Sequence, residues 1–209
     1  MPALGAPLVH DGAYVYSSAT GRLFIVGGDD ATSGRPRGRV WLRRLDDSVW
    51  RVLDTDYRPV HVLAATFDKR TEQLIVLDER PVKRGNASQV QVRLVAIDVT
   101  TGAARRVHRW VRSPAWDAQS LQIDLDGSVL LSASSTRLDR YVLARLDPTS
   151  WAVLGRERGV GALVFPLVPD GVGYTEVHRA PDDATRLIAH RRSSRALGAG
   201  RMQDLDEAL

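Results

Sequence analysis

The sequence has few of the residue types that define a site on their own. It contains no cysteine among its 209 residues, which excludes disulfides, thiolate metal sites and cysteine nucleophiles. Lysine occurs only as Lys69 and Lys83, so arginine carries almost all of the net charge of +4. Glutamate is also scarce, and its five copies are Glu72, Glu79, Glu157, Glu176 and Glu207.

Long apolar runs are also missing. No stretch approaches the roughly 20 apolar residues of a membrane-spanning helix. The opening residues MPALGAPLVHDG lack the basic start and apolar run of a signal peptide. We therefore expect either a cytoplasmic protein or a portion of a longer exported protein, and the sequence leaves the compartment open between them.

The residues that are present have the composition of an ordinary soluble globular protein. Hydrophobic residues make up 44% of the chain and charged residues 26%. The arginines alternate with aspartates along the whole length, whereas nucleic-acid binders concentrate basic residues on one face or arm. This pattern does not favour a nucleic-acid partner. The affinity of arginine for carboxylate and phosphate leaves a protein or an anionic ligand as the expected partner.

Three segments repeat one pattern at a period of about 50 residues. They are RVWLRRLDDSVWRVL from Arg39, QVRLVAIDVTTGAARRV from Gln91 and RYVLARLDPTSWAVL from Arg140. Leu42, Leu94 and Leu143 align in them, at spacings of 52 and 49 residues. Such a period is typical of a β-propeller, in which each repeat forms one blade. We predict that these leucines occupy equivalent buried positions on the third strand of three consecutive blades.

Each repeat divides into short alternating strands separated by turn residues, which indicates an all-β fold of four-stranded antiparallel blades. The predicted strands are 13–17, 22–26, 39–44, 49–53, 60–67, 73–77, 90–97, 105–110, 121–125, 128–132, 141–146, 151–155, 162–168, 172–178 and 186–191. The predicted repeats are 1–56, 57–111, 112–156 and 157–192, and 193–209 is a small-residue tail expected to be flexible or a short helix.

The fourth repeat lacks its fourth strand. A four-blade ring would close only if the segment Ala3–His10 supplied that strand, and its prolines make it a poor central strand. We therefore predict an incomplete or open ring that self-associates or forms part of a longer propeller chain.

Several residues resemble the kelch repeat. Gly27-Gly28 after an apolar strand, then Trp41 and Trp50, match that family's blade in the first repeat, and Trp151 matches it in the third. The resemblance implies a propeller used as an interaction scaffold. The second and third repeats depart from the motif, because Asp78-Glu79 and Ala133-Ser134 replace the double glycine.

The connection between the second and third strands falls at the same place in every repeat, so repetition puts all copies on one face. These connections are rich in charge, glycine and proline, as binding loops are. We predict that they bind a ligand or partner through a basic rim with acidic residues among it. The predicted residues are Asp29, Asp30, Arg35, Arg37, Arg80, Lys83, Arg84 and Arg137, with Asp182 and Asp183 close by.

No catalytic, metal or cofactor site is predicted. The five histidines show no metal-ligand spacing, and the glycines around Gly27 lack the Lys-Ser/Thr pair of a phosphate loop. The leading hypothesis is a non-enzymatic scaffold that binds a protein or another large ligand through its loop face. The alternative is a propeller enzyme or sugar-binding protein with a site at the central channel, and a central channel lined by a once-only set of His, Glu or Arg side chains would favour an enzyme.

Overall fold

The computed structural model is all-β in the residues that it describes. These are 9–30, 33, 38–84, 87–111, 118–124, 126–135, 137, 140–160, 168–169, 173–180 and 183–193. The chain divides into two compact units, Met1–Arg109 and Trp110–Leu209.

The first sheet is an antiparallel meander in the order β2-β3-β5-β6. Two short strands beside it, β1 and β4, pair with each other through Val9 with Asp30 and His10 with Asp29. The described end of the predicted closing segment Ala3–His10 therefore pairs within the first unit. The strands are β1 (Val9–His10), β2 (Ala13–Ser17), β3 (Arg22–Val26), β4 (Asp29–Asp30), β5 (Val40–Arg44) and β6 (Arg51–Val52).

The second sheet also belongs to the first unit and has the order β10-β9-β8-β7. Its strands are β7 (His61–Asp68), β8 (Gln73–Arg84), β9 (Ala87–Asp98) and β10 (Ala104–Val111). β8 and β9 stay paired up to Arg84 with Ala87, so they form one long hairpin.

The second unit holds two further sheets. One has the order β11-β12-β13-β14, and the other, β15-β16-β17, has three strands among the described residues. These strands are β11 (Ala118–Ile123), β12 (Val129–Ser135), β13 (Arg140–Leu146), β14 (Val153–Val160), β15 (Val168–Pro169), β16 (Gly173–Ala180) and β17 (Asp183–Ser193).

A left-handed residue fixes a common register in the first hairpin of three sheets. Gly21, Glu72 and Gly127 end these turns with φ of 60°, 53° and 82°. Gly21 and Glu72 also accept equivalent backbone bonds, from Leu45 at 2.8 Å and Val99 at 3.1 Å. Counted from this left-handed residue, the second and third strands of the three sheets can be compared position by position.

This register corrects the predicted set of core leucines. Leu94 and Leu143 are fully buried and equivalent, since they lie opposite Leu77 and Ser132 at the same distance from the turn. Their counterpart in the first sheet is Val40, which is also fully buried, rather than the half-buried Leu42. The sequence alignment was wrong by two residues there, which keeps the side chain on the same face.

A second correction concerns the tryptophans. Trp151 was predicted to share a repeat position with Trp50. Its N–H instead donates to the Asp147 carbonyl at 2.8 Å, as the Gly102 N–H does to Asp98. Trp151 therefore occupies the place of Gly102 in its turn, with a φ of 63° against 75°.

The core of the first unit lies between its two sheets. Strand alternation sends Phe24 and Val26 to one face of β3, where they join side chains from the second sheet such as Leu74 and Val76. Ile25 lies on the other face of β3, in a separate cluster with Trp41 and Trp50. Buried β-branched and aromatic side chains on both faces explain why β3 forms a central strand.

Candidate functional site

The predicted loop residues lie in several different settings. Arg35 and Arg37 lie outside the described residues. Asp29 and Asp30 form β4 and pair with β1. Arg137 lies in an exposed turn of the second unit. Asp182 lies outside the described residues, whereas Asp183 begins β17.

The predicted loop around Arg80 is a strand. Arg80, Lys83 and Arg84 all lie on β8, in the part that pairs with β9. Arg80 is half-buried and donates through Nη2 to Gln91 Oε1 at 3.4 Å, whereas Lys83 is exposed. An odd spacing puts Arg80 and Lys83 on opposite faces of the strand. The loop expectation was wrong here, because hairpin pairing continues through Pro81.

A buried ion pair lies in the same hairpin, closer to the core. Asp78 of β8 lies opposite Arg93 of β9. Arg93 donates from Nε to Oδ1 of Asp78 at 2.8 Å and from Nη2 to Oδ2. The side chains of Asp78 and Arg93 are 0% and 13% exposed. Burial opposes the charge of Arg93, but the hydrogen bond and negative charge of Asp78 hold its pKa above the ordinary value.

Tyr57 completes this cluster. The guanidinium of Arg93 lies 5.5 Å from the centre of the Tyr57 ring, a cation–π geometry. Burial, and then the nearby Asp78 carboxylate, raises the pKa of Tyr57 well above its usual range, while Arg93 acts in the opposite direction. The phenol is therefore neutral at physiological pH. Arg93 also reaches the carbonyl of Arg58, 3.4 Å away, which joins the cluster to the segment before β7.

A second pair involves Glu79, the next residue of β8, which strand alternation places on the opposite face from Asp78. Nδ1 of His61 and Oε1 of Glu79 are 2.9 Å apart across β7 and β8. Glu79 is buried, whereas the His61 side chain is 58% exposed. The pair therefore connects a buried carboxylate to an imidazole that solvent reaches.

This cluster occurs in one of the three sheets that share the hairpin register. Asp78 and Glu79 occupy the positions of Gly27 and Gly28 in the first sheet. Ala133 and Ser134 stand there in the third sheet. The sequence contained a signal for this cluster, because Asp78-Glu79 stands where the first repeat has Gly27-Gly28. That difference was interpreted only as a departure from the kelch motif. Tyr57 and Arg93 were not predicted, because no local pattern marks them.

A cleft of about 360 Å³ lies next to the cluster, between the first sheet and the segment that leads to β7. Arg58 connects the two, since it lines the cleft and its carbonyl receives Arg93. Its Nη1 donates to the carbonyls of Tyr57, at 3.0 Å, and Thr55. The lining residues are Arg39, Val40, Val52, Leu53, Asp54, Thr55 and Arg58.

The cleft combines charged, hydroxyl and apolar groups. Arg39, Asp54 and Arg58 are exposed, and Thr55 is buried and accepts the Tyr57 N–H at 3.2 Å. Within the described ranges, no three acidic or histidine side chains group as metal ligands, and no helix is long and apolar enough to cross a membrane. A small polar molecule is the kind of ligand that suits this lining.

Comparison with known proteins defines the class of fold. A GH43 β-1,3-galactosidase solved with galactodeoxynojirimycin is similar over 91% of this chain, with 12% identity and a TM-score of 0.51. A subtype N10 neuraminidase-like protein of A/little yellow-shouldered bat/Guatemala/060/2010 is similar over 95%, with 9% identity and a TM-score of 0.55. An acylaminoacyl peptidase of Pyrococcus horikoshii is similar over 91%, with 10% identity and a TM-score of 0.54. The chain is a β-propeller.

These similarities show a fold and no closer relationship. The chain covers 74% of the galactosidase, 60% of the neuraminidase-like protein and 32% of the peptidase. No protein-family model and no curated protein matches the sequence. The propeller prediction is confirmed, and the similar structures do not support kelch repeats specifically.

The leading functional hypothesis was wrong. A non-enzymatic scaffold that binds proteins was inferred from the kelch resemblance, yet the similar structures include glycosidases and a neuraminidase-like protein rather than kelch scaffolds. The alternative, a propeller enzyme or sugar-binding protein, agrees better with these comparisons.

Proposed function

We propose that this propeller binds a carbohydrate, as an enzyme or as a sugar-binding protein, in the cleft of the first unit. The cleft beside the once-only charged cluster is the observation that carries the proposal. Similar folds support it, since a galactanase of Phanerochaete chrysosporium with a TM-score of 0.51 was solved with β-1,3-galactotriose. Fold alone does not assign a function, and the peptidase has this fold too.

The chemistry of the lining suits a sugar. Sugar hydroxyls need donors and acceptors together, and Arg39, Arg58 and Asp54 supply both at the rim. Val52, which is 39% exposed, and the half-buried Leu53 offer apolar surface to the C–H groups of a sugar ring. The volume is at the small end of ligand pockets, which run from about 300 to 1,000 Å³. A ligand of one or two sugar units fits these limits.

The cluster behind the cleft has a positioning role in this proposal. Arg93 holds the carbonyl of Arg58 while it is itself fixed by Asp78. Asp78 is fully buried and paired, so it does not touch a ligand directly. Retaining and inverting glycosidases use two carboxylates that flank the scissile bond, whereas the lining of the cleft contains one, Asp54. The described geometry therefore supports sugar binding rather than hydrolysis.

Four expectations from the sequence remain proposals. The kelch subtype rests on Gly27-Gly28, Trp41 and Trp50. The four repeat boundaries rest on the period of about 50 residues. The open ring is tested by light scattering, which measures the oligomeric state of the isolated chain. Binding of an anionic partner by Arg35, Arg37, Arg80, Lys83, Arg84 and Arg137 stays a prediction from the sequence, although β8 places Arg80 and Lys83 on opposite faces, and such binding should weaken with salt.

The test is binding of the full chain to an array of neutral and acidic glycans, followed by calorimetry with the best ligand. Arg58→Gln should weaken binding about ten-fold or more, because a charged donor to the ligand is lost. Arg51→Gln is the matched control, since Arg51 is exposed and pairs with Asp47 at 3.2 Å outside the cleft. Absence of binding to every glycan would contradict the proposal.

A further inference from the structure

The charges of the cleft narrow the class of sugar. Building on the proposed function, we propose that the cleft selects a sugar that carries a carboxylate, such as a uronic acid, and that Arg39 and Arg58 bind that carboxylate. The arginines of the first unit differ in whether an acidic side chain neutralises their charge.

Arg39 is the first-sheet counterpart of Arg93. Gly27 lies opposite it, and the Gly27 N–H donates to the Arg39 carbonyl at 2.8 Å. In the second sheet the residue opposite the arginine is Asp78, which neutralises it. The first sheet keeps the arginine and has glycine in place of the acid. Within the described part of the chain, Arg39 forms no ion pair.

Arg58 also has a free charge. Both of its hydrogen bonds use Nη1 and go to backbone carbonyls, which leaves Nε and Nη2 for a ligand. Arg44 and Arg51, in contrast, pair with Asp46 at 3.1 Å and Asp47 at 3.2 Å. The exposed Arg105 and Arg106 of β10 do not line this cleft.

The net charge of the lining residues suits a ligand that carries one negative charge. Two guanidinium groups and one carboxylate, Asp54, give two minus one, a net charge of +1. A guanidinium group binds a carboxylate through two parallel, charge-assisted hydrogen bonds, which are stronger than hydrogen bonds between neutral groups. Asp54 can accept hydrogen bonds from sugar hydroxyls. A neutral sugar would leave this net charge of +1 without a counter-charge.

The experiment compares two ligands that differ at one carbon. Methyl β-D-galacturonoside and methyl β-D-galactoside share a ring, and only the first carries a carboxylate. Calorimetry on the full chain at low salt should show the galacturonoside binding about ten-fold or more tightly. Arg39→Gln and Arg58→Gln should each remove most of that preference, and Arg58→Lys should retain part of it because the charge remains. Arg44→Gln is the control and should leave it unchanged.

The outcomes separate the two proposals. Equal binding of both sugars, or a preference that survives Arg39→Gln and Arg58→Gln, overturns the acidic-sugar inference and leaves carbohydrate binding intact. If neither these sugars nor any glycan of the array binds, both proposals fail. Circular dichroism of each variant shows whether it has kept its fold, so that loss of binding is read only from folded protein.

Discussion

The two sheets of the first unit differ at equivalent positions, because an acid lies opposite an arginine in the second sheet and a glycine lies opposite the equivalent arginine in the first. In the second sheet, Asp78 faces Arg93; the Asp78 side chain is fully buried and the Arg93 side chain is 13% exposed. In the first, Gly27 faces Arg39, which is exposed. Gly27 has a φ of 66°, and a Cβ there would lie 2.6 Å from Cγ2 of Val62. Close packing of the sheets therefore excludes an acid at position 27, and it leaves Arg39 free for a ligand.

Breaking the ion pair should have the largest effect. Arg93→Met would leave the Asp78 carboxylate buried without a partner, which costs about 3–5 kcal/mol in the free energy of unfolding. Arg39→Met at the equivalent exposed position should cost less than about 0.5 kcal/mol. Urea unfolding of both variants checks the difference. Combining Arg93→Met with Asp78→Leu should restore most of the loss, and failure of that rescue would show that the charge is not its cause.

The glycine side of the comparison should be sensitive to a single methyl group. Gly27→Ala combines a left-handed φ with a close contact to Val62, and we expect a loss of about 2–3 kcal/mol. Gly21→Ala is the control, because its φ is 60° but no atom lies within 4 Å of the added Cβ. It should cost about 1 kcal/mol. Equal losses for the two variants would mean that sheet packing contributes nothing at position 27.

The buried phenol predicts a pH dependence confined to alkaline solution. The pKa of Tyr57 is raised above its ordinary 10.0, so the folded chain keeps a proton that the unfolded chain releases. The stability from this group is complete below about pH 10 and is lost as pH rises towards the folded pKa, by up to about 1.4 kcal/mol per pH unit. Urea unfolding at pH 9 to 11 measures the slope. Tyr57→Phe should flatten it, and an unchanged slope would assign the effect to other groups.

The smallest effect is expected at the surface. Arg44 and Asp46 are 64% and 74% exposed and lie 3.1 Å apart. Arg44→Gln should change the unfolding free energy by less than about 1 kcal/mol, since solvent screens this pair. Urea unfolding beside Arg93→Met checks it. A loss as large as that of Arg93→Met would show that burial does not explain why the Asp78–Arg93 pair contributes more to stability than the Arg44–Asp46 pair.

Local patterns predicted strands well and the site poorly. β2 and β3 have the predicted bounds, because alternation and turn residues are local signals. The long hairpin was missed because Pro81 suggested a loop, although proline is tolerated where a strand lacks a partner on one side. The Asp78–Arg93 pair and the cleft depend on contacts between distant segments. No periodicity in the sequence records such contacts.

The long hairpin also affects the tendency of the chain to aggregate. β7 pairs with β8 only as far as Glu79, so within the described residues of the first unit the next five residues of β8 have β9 as their one neighbour. Open backbone of this kind templates intermolecular β-pairing. Pro81 removes an N–H donor from it, and the exposed charge of Lys83 resists the approach of another basic strand. The hairpin thus carries its own protection against aggregation, independent of any ligand.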